Sequence, residues 1–191
     1  MEKVVDNVPE IKSKKRSRFS DVLVILLCIF TFLFLIFNVL FIRVEVRGES
    51  MENTLTNGNK VFIARYGEVD YGSVIVIEGE NAKEWIIKRV IAKGGDTVKI
   101  ENGYVYLKKA GSTEFSQLEE NYVKEQGKTF FYDEEKHPQT DSKEFMIPNG
   151  QLFYLGDNRQ NSTDSRSDYF TCGQSQVVGV LCDWSLKLLK K

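Results

Sequence analysis

The residues best suited to chemistry in this chain are a serine, a lysine and a polar loop, in three separate stretches. Ser50 lies in VRGESMENTL, a stretch of small and polar residues. A serine hydroxyl is a weak nucleophile until a neighbouring base takes its proton. The one histidine, His137, lies in EEKHPQTDS, whose proline and charges are typical of an exposed loop. A Ser-His-Asp mechanism would require that loop to reach Ser50, so we look for another base.

Lys88 is the alternative base. In KEWIIKRVIAKGGD, strand alternation places Ile86, Lys88 and Val90 on one face. An ordinary lysine has a pKa of about 10.4 and is protonated at neutral pH. Burial among apolar groups lowers that pKa and yields an amine that can accept a proton. The same alternation is typical of an amphipathic strand whose lysine extends to water, so the pattern alone leaves both interpretations open.

The third stretch is GDNRQNSTDSR, residues 156–166, which follows an apolar run. Its small polar residues suit a hydrogen-bonded loop in which Asp164 could pair bidentately with Arg166 or Arg159. Ser162 could orient a neighbouring amine through a hydrogen bond. By composition alone, the stretch is also consistent with a solvated turn.

A long apolar run near the N-terminus must position the rest of the chain. Residues 22–42 are apolar except for Thr31 and Asn38, which is enough to cross a hydrocarbon core of about 30 Å. The run ends in Phe41 and Ile42 rather than at a small-x-small cleavage site. A buried helix would carry a polar stripe. We therefore predict a polar cytosolic tail over residues 1–20 and one transmembrane helix over residues 21–42.

Basic residues before the run predict its orientation in a cell membrane. The positive-inside tendency places the N-terminus in the cytoplasm and residues 43–191 outside. The basic residues nearest the run are Lys12, Lys14, Lys15, Arg16 and Arg18. Ser50 would then lie within roughly 28 Å of the outer end of the anchor, even if the chain between them were fully extended.

Charge and cysteine usage limit the possible partners. The 191-residue chain has 26 basic and 27 acidic residues, scattered beyond the N-terminus, so no nucleic-acid footprint is present. No metal site or cofactor is expected. Cys28 lies in the apolar run, and only Cys172 and Cys182 lie beyond it. Those two could form a disulfide or be buried free thiols.

The chain beyond residue 43 is predicted to be mainly β. Strand-like runs separated by turn signals occupy residues 60–65, 74–77, 85–91, 97–100, 104–107, 145–147 and 152–155. Asn102 and Gly103 predict a tight hairpin with positive φ. Asn149 and Gly150 predict a second turn.

Two segments fit this β pattern less simply. Residues 108–143 are polar and irregular, and we interpret them as a small insertion beside the main sheet. In the tail CDWSLKLLKK, apolar and polar residues alternate, which predicts a last strand. Contact of this tail with a membrane surface is an alternative.

Taken together, these stretches resemble bacterial type I signal peptidases, which are membrane-anchored serine-lysine proteases that remove signal peptides from exported proteins. The resemblance covers nearly the whole chain. It rests on four segments in the family's order, namely GESMENTL, YGSVIVI, IIKRVIAKGGDTV and GDNRQNSTDSR. It implies the signal-peptidase fold, which consists of coiled antiparallel β-sheets preceded by one transmembrane helix, and no cofactor.

The resemblance also implies roles for particular residues. Ser50 would be the nucleophile and Lys88 the general base. Ser162 would orient the Lys88 amine, while Asp164 and Arg166 would stabilise the site without contacting the substrate. The partners would be membrane lipid and secretory preproteins, whose signal peptides carry small residues at the last and third-last positions.

Three further positions around Ser50 bear on this comparison. Met51 is expected to help line the substrate pocket, and the Ser50 backbone N–H to donate to the developing oxyanion. Asn53 stands where the family usually has proline, so a looser turn is expected after Ser50, although asparagine is itself a turn former. Gly48 stands where some members carry a serine whose hydroxyl assists the oxyanion.

A non-enzymatic relative that assembles pilins or surface fibres is the competing hypothesis. Such relatives lose the nucleophile or the base, whereas this chain retains both. A peptidase dedicated to a few clients also fits the sequence, and a self-cleaving repressor is disfavoured by the anchor.

Overall fold

The computed structural model describes residues 18–79, 84–132, 138–139, 142–167 and 171–189. His137 and four of the basic residues before the apolar run lie outside the described residues. The chain divides into two compact units, Met1–Val39 and Leu40–Lys191. The first contains most of an apolar helix and the second contains the β-sheets.

The N-terminal helix, α1 (Arg18–Leu40), is apolar around its whole circumference. None of its side chains is buried, and it is long and apolar enough to cross a membrane. Thr31 Oγ1 donates to Leu27 O at 2.8 Å and Asn38 Nδ2 donates to Phe34 O at 2.7 Å. Both polar side chains are thus bonded within the helix, as a lipid environment requires.

The larger sheet has seven antiparallel strands and carries the residues of interest. Its spatial order is β1 (Phe41–Glu45), β2 (Lys60–Ala64), β13 (Val177–Leu181), β3 (Val74–Glu78), β4 (Trp85–Lys93), β11 (Gln151–Leu155) and β12 (Cys172–Gly173). β1 pairs with β2 along its whole length, starting at Phe41 opposite Ala64. Phe41 and Ile42 therefore belong to this sheet, and α1 ends two residues before the predicted end of the anchor.

The smaller sheets are built from local hairpins. One has the order β10 (Lys143–Met146), β5 (Thr97–Glu101), β6 (Tyr104–Lys108) and β7 (Ser116–Gln117), and β8 (Phe131–Tyr132) pairs with β9 (Pro138–Gln139). The β5–β6 turn has φ of 50° at Asn102 and 82° at Gly103, which confirms the predicted hairpin. The prediction of a mainly β fold with antiparallel sheets after an N-terminal apolar helix is also confirmed.

Two apolar clusters show how the sheets are held together. One joins β4 and β11 to the smaller sheet and includes Ile91, Val98, Val105, Phe153 and Leu155. The other packs the segment after β1 onto the larger sheet and includes Val46, Met51, Leu55, Val61 and Ile63. Burial of apolar area of this kind is the main favourable term in folding. The segment that contains Ser50 is therefore fixed to the core by its neighbours.

The prediction of a last strand in the tail was wrong, because this segment is a short helix, α2 (Asp183–Leu189). Ser185 faces the sheet, where its Oγ accepts the Phe62 N–H at 2.9 Å. Trp184 packs on the Phe62 ring at a centroid distance of 5.2 Å. Trp184 and Leu188, at positions i and i+4, fit one face of a short helix as well as an alternating strand, so a segment of this length did not distinguish the two.

Candidate active site

Ser50 lies in a tight turn that follows β1. The turn is closed by Glu52 N–H donating to Glu49 O at 3.0 Å and by Leu55 N–H donating to Met51 O at 2.8 Å. Met51 and Leu55 are both buried in the core. The turn therefore presents Ser50 from a backbone that is anchored on both sides.

Lys88 is buried and lies next to the Ser50 hydroxyl. Its Nζ is 2.9 Å from Ser50 Oγ and 3.1 Å from Ile87 O, and only 4% of the residue is exposed. Burial lowers the pKa of the amine, and Arg166 lowers it further, whereas Asp164 and Asp157 act in the opposite direction. A lysine with a lowered pKa can carry a free amine and accept a hydroxyl proton.

Asp164 and Arg166 form a buried ion pair behind this site. Arg166 Nε and Nη2 donate to the two Asp164 oxygens at 2.8 and 2.9 Å. Gly156 N–H also donates to Asp164 at 3.0 Å. Burial alone would raise the pKa of Asp164, but the charge and hydrogen bonds of Arg166 and the Gly156 N–H hold that pKa below its usual value. Arg166, rather than Arg159, is therefore the partner of Asp164.

Ser162 lies beside Gly156, close to the backbone of Ser50. A Cβ on Gly156 would be 2.2 Å from Ser162 Oγ and 2.5 Å from Ser50 O. Within the described part of the chain, Ser162 Oγ is buried and has no hydrogen-bond partner of ordinary geometry, although it is near enough to Asp164 to help lower the pKa of that carboxyl. Ser162 and Lys88 line the same cleft, so the role of Ser162 in orienting the amine stays a prediction.

Amide groups of the loop after β11 hold the backbone on either side of Ser50. Asn158 N–H donates to Ser50 O at 3.0 Å, and Asn158 Nδ2 donates to Glu49 O at 3.1 Å. Asn161 Nδ2 donates to the Glu49 carboxylate at 3.0 Å. Neither asparagine was predicted from the sequence to belong to the site. Their signal was their place in the polar stretch that also contains Ser162.

A second, part-buried ion pair supports the same turn from the other face of β4. Arg89 donates to both Asp157 oxygens, at 2.8 and 2.6 Å, and to Gly72 O at 2.7 Å. Thr54 Oγ1 donates to Asp157 at 2.5 Å. The sequence pattern placed Arg89 opposite Lys88, but it did not reveal this network, because its members are far apart along the chain.

A cleft of about 430 Å³ leads to Ser50 and Lys88. Its lining comes from residues 43–48, 50 and 51, together with Val76 and the start of β4. That Met51 helps to bind the substrate stays a prediction. In the described residues, β11 pairs with β4 only from Arg89 onward. Residues 85–88 therefore leave one strand edge free beside the cleft, where an extended peptide could bind.

Comparisons with known proteins identify the family to which this chain is similar. Residues 19–182 match the family described as signal peptidase, peptidase S26. Signal peptidase I P of Bacillus subtilis subsp. natto is 30% identical over 173 residues, which cover 88% of this chain and 90% of that protein. Signal peptidase IB of Staphylococcus aureus strain Mu50 is 31% identical over 156 residues, or 78% of this chain and 80% of that one.

Solved structures also include a similar protein. The crystal structure of a signal peptidase I from Enterococcus faecalis V583 aligns with a TM-score of 0.46 and 25% identity, over 61% of this chain and 98% of that one.

The family match defines this chain as a serine peptidase, which is a hydrolase. This chain belongs to the signal peptidase family, peptidase S26, so the resemblance inferred from its motifs is confirmed.

Proposed function

We propose that this protein removes signal peptides from exported preproteins, with Ser50 as the nucleophile and Lys88 as the general base. The observation that carries the proposal is the 2.9 Å contact between Ser50 Oγ and the buried Lys88 amine. Desolvation keeps the amine available as a base, so the mechanism needs no histidine.

The reaction is an acyl transfer in two halves. Ser50 Oγ attacks the scissile carbonyl carbon while its proton passes to Lys88 Nζ, and the Ser50 backbone N–H donates to the oxyanion. Collapse of this intermediate breaks the C–N bond, and Lys88 gives the proton to the leaving amine. Water then attacks the ester, Lys88 accepts a proton from that water, and Ser50 regains its hydroxyl hydrogen as the signal peptide leaves.

Asp164, Arg166 and Ser162 act on this centre without forming bonds to the substrate. The Asp164–Arg166 pair fixes the loop that places Ser162 next to the cleft. The Ser162 hydroxyl, which is buried, has hydrogen-bonding capacity that can orient the free Lys88 amine.

Substrate binding follows from the shape of the cleft. An extended signal peptide adds along the free edge of residues 85–88, and its side chains alternate between cleft and solvent. Met51 narrows the cleft near Ser50. This geometry selects small side chains at the last and third-last signal residues.

Membrane anchoring brings the peptidase to its substrates. α1 serves as a single membrane span, with the basic residues before it on the cytoplasmic side and the β-sheet unit on the outer side.

The proposal is tested by cleavage of a precursor with a small-x-small site by the detergent-solubilised full-length protein. The assay covers roughly pH 6 to 10, which brackets a lowered lysine pKa, and includes Ser50→Ala and Lys88→Ala. We expect cleavage by the parent protein and none by either variant. Cleavage by Lys88→Ala would contradict the mechanism, and a parent protein that cleaves nothing would favour an assembly factor.

A further inference from the structure

Asn53, three residues after Ser50, has an unusual backbone conformation. Its φ is 88°, a region that asparagine tolerates better than most residues. Proline, with φ fixed near −65°, cannot adopt it. The turn after Ser50 therefore differs in conformation from any turn built on a proline at this position.

The Asn53 side chain ties this turn to a distant part of the chain. Asn53 Nδ2 donates to Tyr122 O at 2.7 Å, across 69 residues of sequence. Tyr122 belongs to residues 120–126, within the polar insertion, and we call this segment the hook. The hook is closed by Val123 N–H donating to Glu120 O at 2.9 Å and by Gln126 Nε2 donating to the same oxygen at 2.7 Å.

A buried ion pair fixes the hook to the loop after β11. Arg159 Nη1 and Nη2 donate to the Glu120 carboxylate at 2.9 and 2.5 Å. Arg159 is 2% exposed and Glu120 is 7% exposed. Arg159 Nε also donates to Gly156 O at 3.0 Å. The hook is therefore attached to the residue that lies between Ser50 O and Ser162.

Tyr122 makes a second connection to the turn. The Arg89 guanidinium lies 4.0 Å from the centre of the Tyr122 ring, which is a favourable cation–π geometry. Arg89 Nη2 also donates to Thr54 Oγ1 at 3.2 Å. The hook thus contacts residue 53 directly and residue 54 through Arg89.

We propose that the hook positions the nucleophile, with Asn53 as the positioning residue. This inference rests on the proposed role of Ser50. Met51 and Leu55 are buried, but residues 52–54 between them are not, and the bond of Asn53 to Tyr122 O holds this part of the turn in the conformation in which Ser50 Oγ meets Lys88 Nζ. The polar insertion is then part of the catalytic apparatus.

The test compares Asn53→Gly and Asn53→Asp with the parent protein in the precursor cleavage assay. Glycine accepts positive φ but has no side chain, and aspartate cannot donate to Tyr122 O. Since small misplacements of reacting groups are costly, we expect kcat to fall about tenfold or more in both variants while KM stays unchanged. The apparent pKa of the pH–rate profile should also stay unchanged, because Lys88 remains buried.

Asn102→Gly is the matched control. Asn102 is also an exposed asparagine with positive φ, but it lies in the β5–β6 hairpin. Its variant should keep the parental kcat. Asn53→Pro should lose more activity than Asn53→Gly, because proline excludes the observed φ as well as removing the donor.

Several results would overturn the inference. Parental kcat in Asn53→Gly would do so. If this variant kept its kcat but unfolded at a lower temperature than Asn102→Gly, the contact would be merely structural, and the inference would be overturned as well. Activity in the parent that Ser50→Ala abolishes keeps the proposed function whichever way the Asn53 variants behave. A parent protein without activity would overturn both proposals.

Discussion

The proposed reaction between Ser50 and Lys88 depends on the lowered pKa of the lysine amine. Burial of Lys88 lowers that pKa more than any neighbouring charge does. The family resemblance assigned roles to both residues, and the composition of the loop after β11 predicted the pairing of Asp164 with an arginine. Neither could predict the contacts of Asn158 with Ser50 or of Asn53 with Tyr122, because the partners are 108 and 69 residues apart. Contacts of that kind depend on how strands pair, which no local pattern records.

Lys88→Arg tests whether the base must lose its proton. A guanidinium stays charged at any accessible pH and cannot act as a base, so kcat should fall by about 100-fold or more. Lys93→Arg is the control, since Lys93 lies on the same strand but is partly exposed and paired with Asp70. Peptide cleavage measures both. Substantial activity in Lys88→Arg would exclude Lys88 as the base.

The pH dependence of the parent enzyme follows from the direction of the Lys88 shift. Because burial lowers the pKa of Lys88, the free amine exists at lower pH than in an ordinary lysine. The rate should rise with pH on the acidic side, with an apparent pKa clearly below the ordinary value of about 10.4. A pH–rate profile of kcat/KM measures it. A rate that rises only near the ordinary lysine pKa would contradict this expectation.

Gly156→Ala tests the close approach behind the site. The added Cβ would lie 2.2 Å from Ser162 Oγ and 2.5 Å from Ser50 O, so the nucleophile must move. We expect kcat/KM to fall about 100-fold. Gly173→Ala is the control, because its Cβ would meet nothing closer than 3.5 Å. Cleavage assays on both variants measure this effect. Equal activities would show that the loop after β11 can move to accommodate the added Cβ.

The elements differ in how well local sequence predicts them. The hairpin strands β5 and β6 carry strong alternation and an Asn-Gly turn, and their predicted positions agree with the structure to within a residue. The predicted membrane helix included Phe41 and Ile42, which are the first two residues of β1. Both are apolar, so hydropathy did not separate them from the helix before them. β13 was not predicted, since its pairing with β2 and β3 depends on partners far away in sequence. α2 was predicted as a strand, because a segment of 7 residues is too short for its apolar pattern to distinguish a helix from a strand.

The two faces of β4 give a prediction about stability. Asp157→Ala leaves the Arg89 guanidinium buried without its carboxylate, which should lower the free energy of unfolding by about 3–5 kcal/mol. Asp70→Ala, which breaks the exposed pair with Lys93, should have a much smaller effect, because water screens that pair. Urea unfolding in detergent, followed by tryptophan fluorescence, measures both. Equal effects would show that the Arg89 network is not a stabilising contact.

At the scale of the whole molecule, the chain combines an apolar helix with a β-sheet unit. Composition alone predicted this division, since apolar runs of membrane-spanning length are rare in water-soluble folds. Hydropathy could not show where the helix ends, because the first strand of the sheet unit is apolar as well. The pairing of that strand with β2 sets the boundary.

Orientation in the membrane gives a prediction at this scale. A tag before Met1 should be protected from protease added to intact spheroplasts, whereas a tag after Lys191 should be digested, because the basic residues before α1 stay in the cytoplasm. Immunoblots of the two tagged forms measure this. Replacing the five basic residues nearest the span by glutamine should produce molecules of mixed orientation; these are Lys12, Lys14, Lys15, Arg16 and Arg18. Digestion of the N-terminal tag in the parent protein would reverse the proposed topology.

The alternation of β4 has a consequence for insertions and deletions. Lys88 pairs with Ile75 and Arg89 pairs with Val74, so the side chains of these two basic residues lie on opposite faces of β4. A slip of one residue against β3 would exchange them and present a permanently charged guanidinium to the serine. Length changes within this strand are thus far more damaging than most substitutions in it, and homologues that diverge widely in their loops should still keep its residue count.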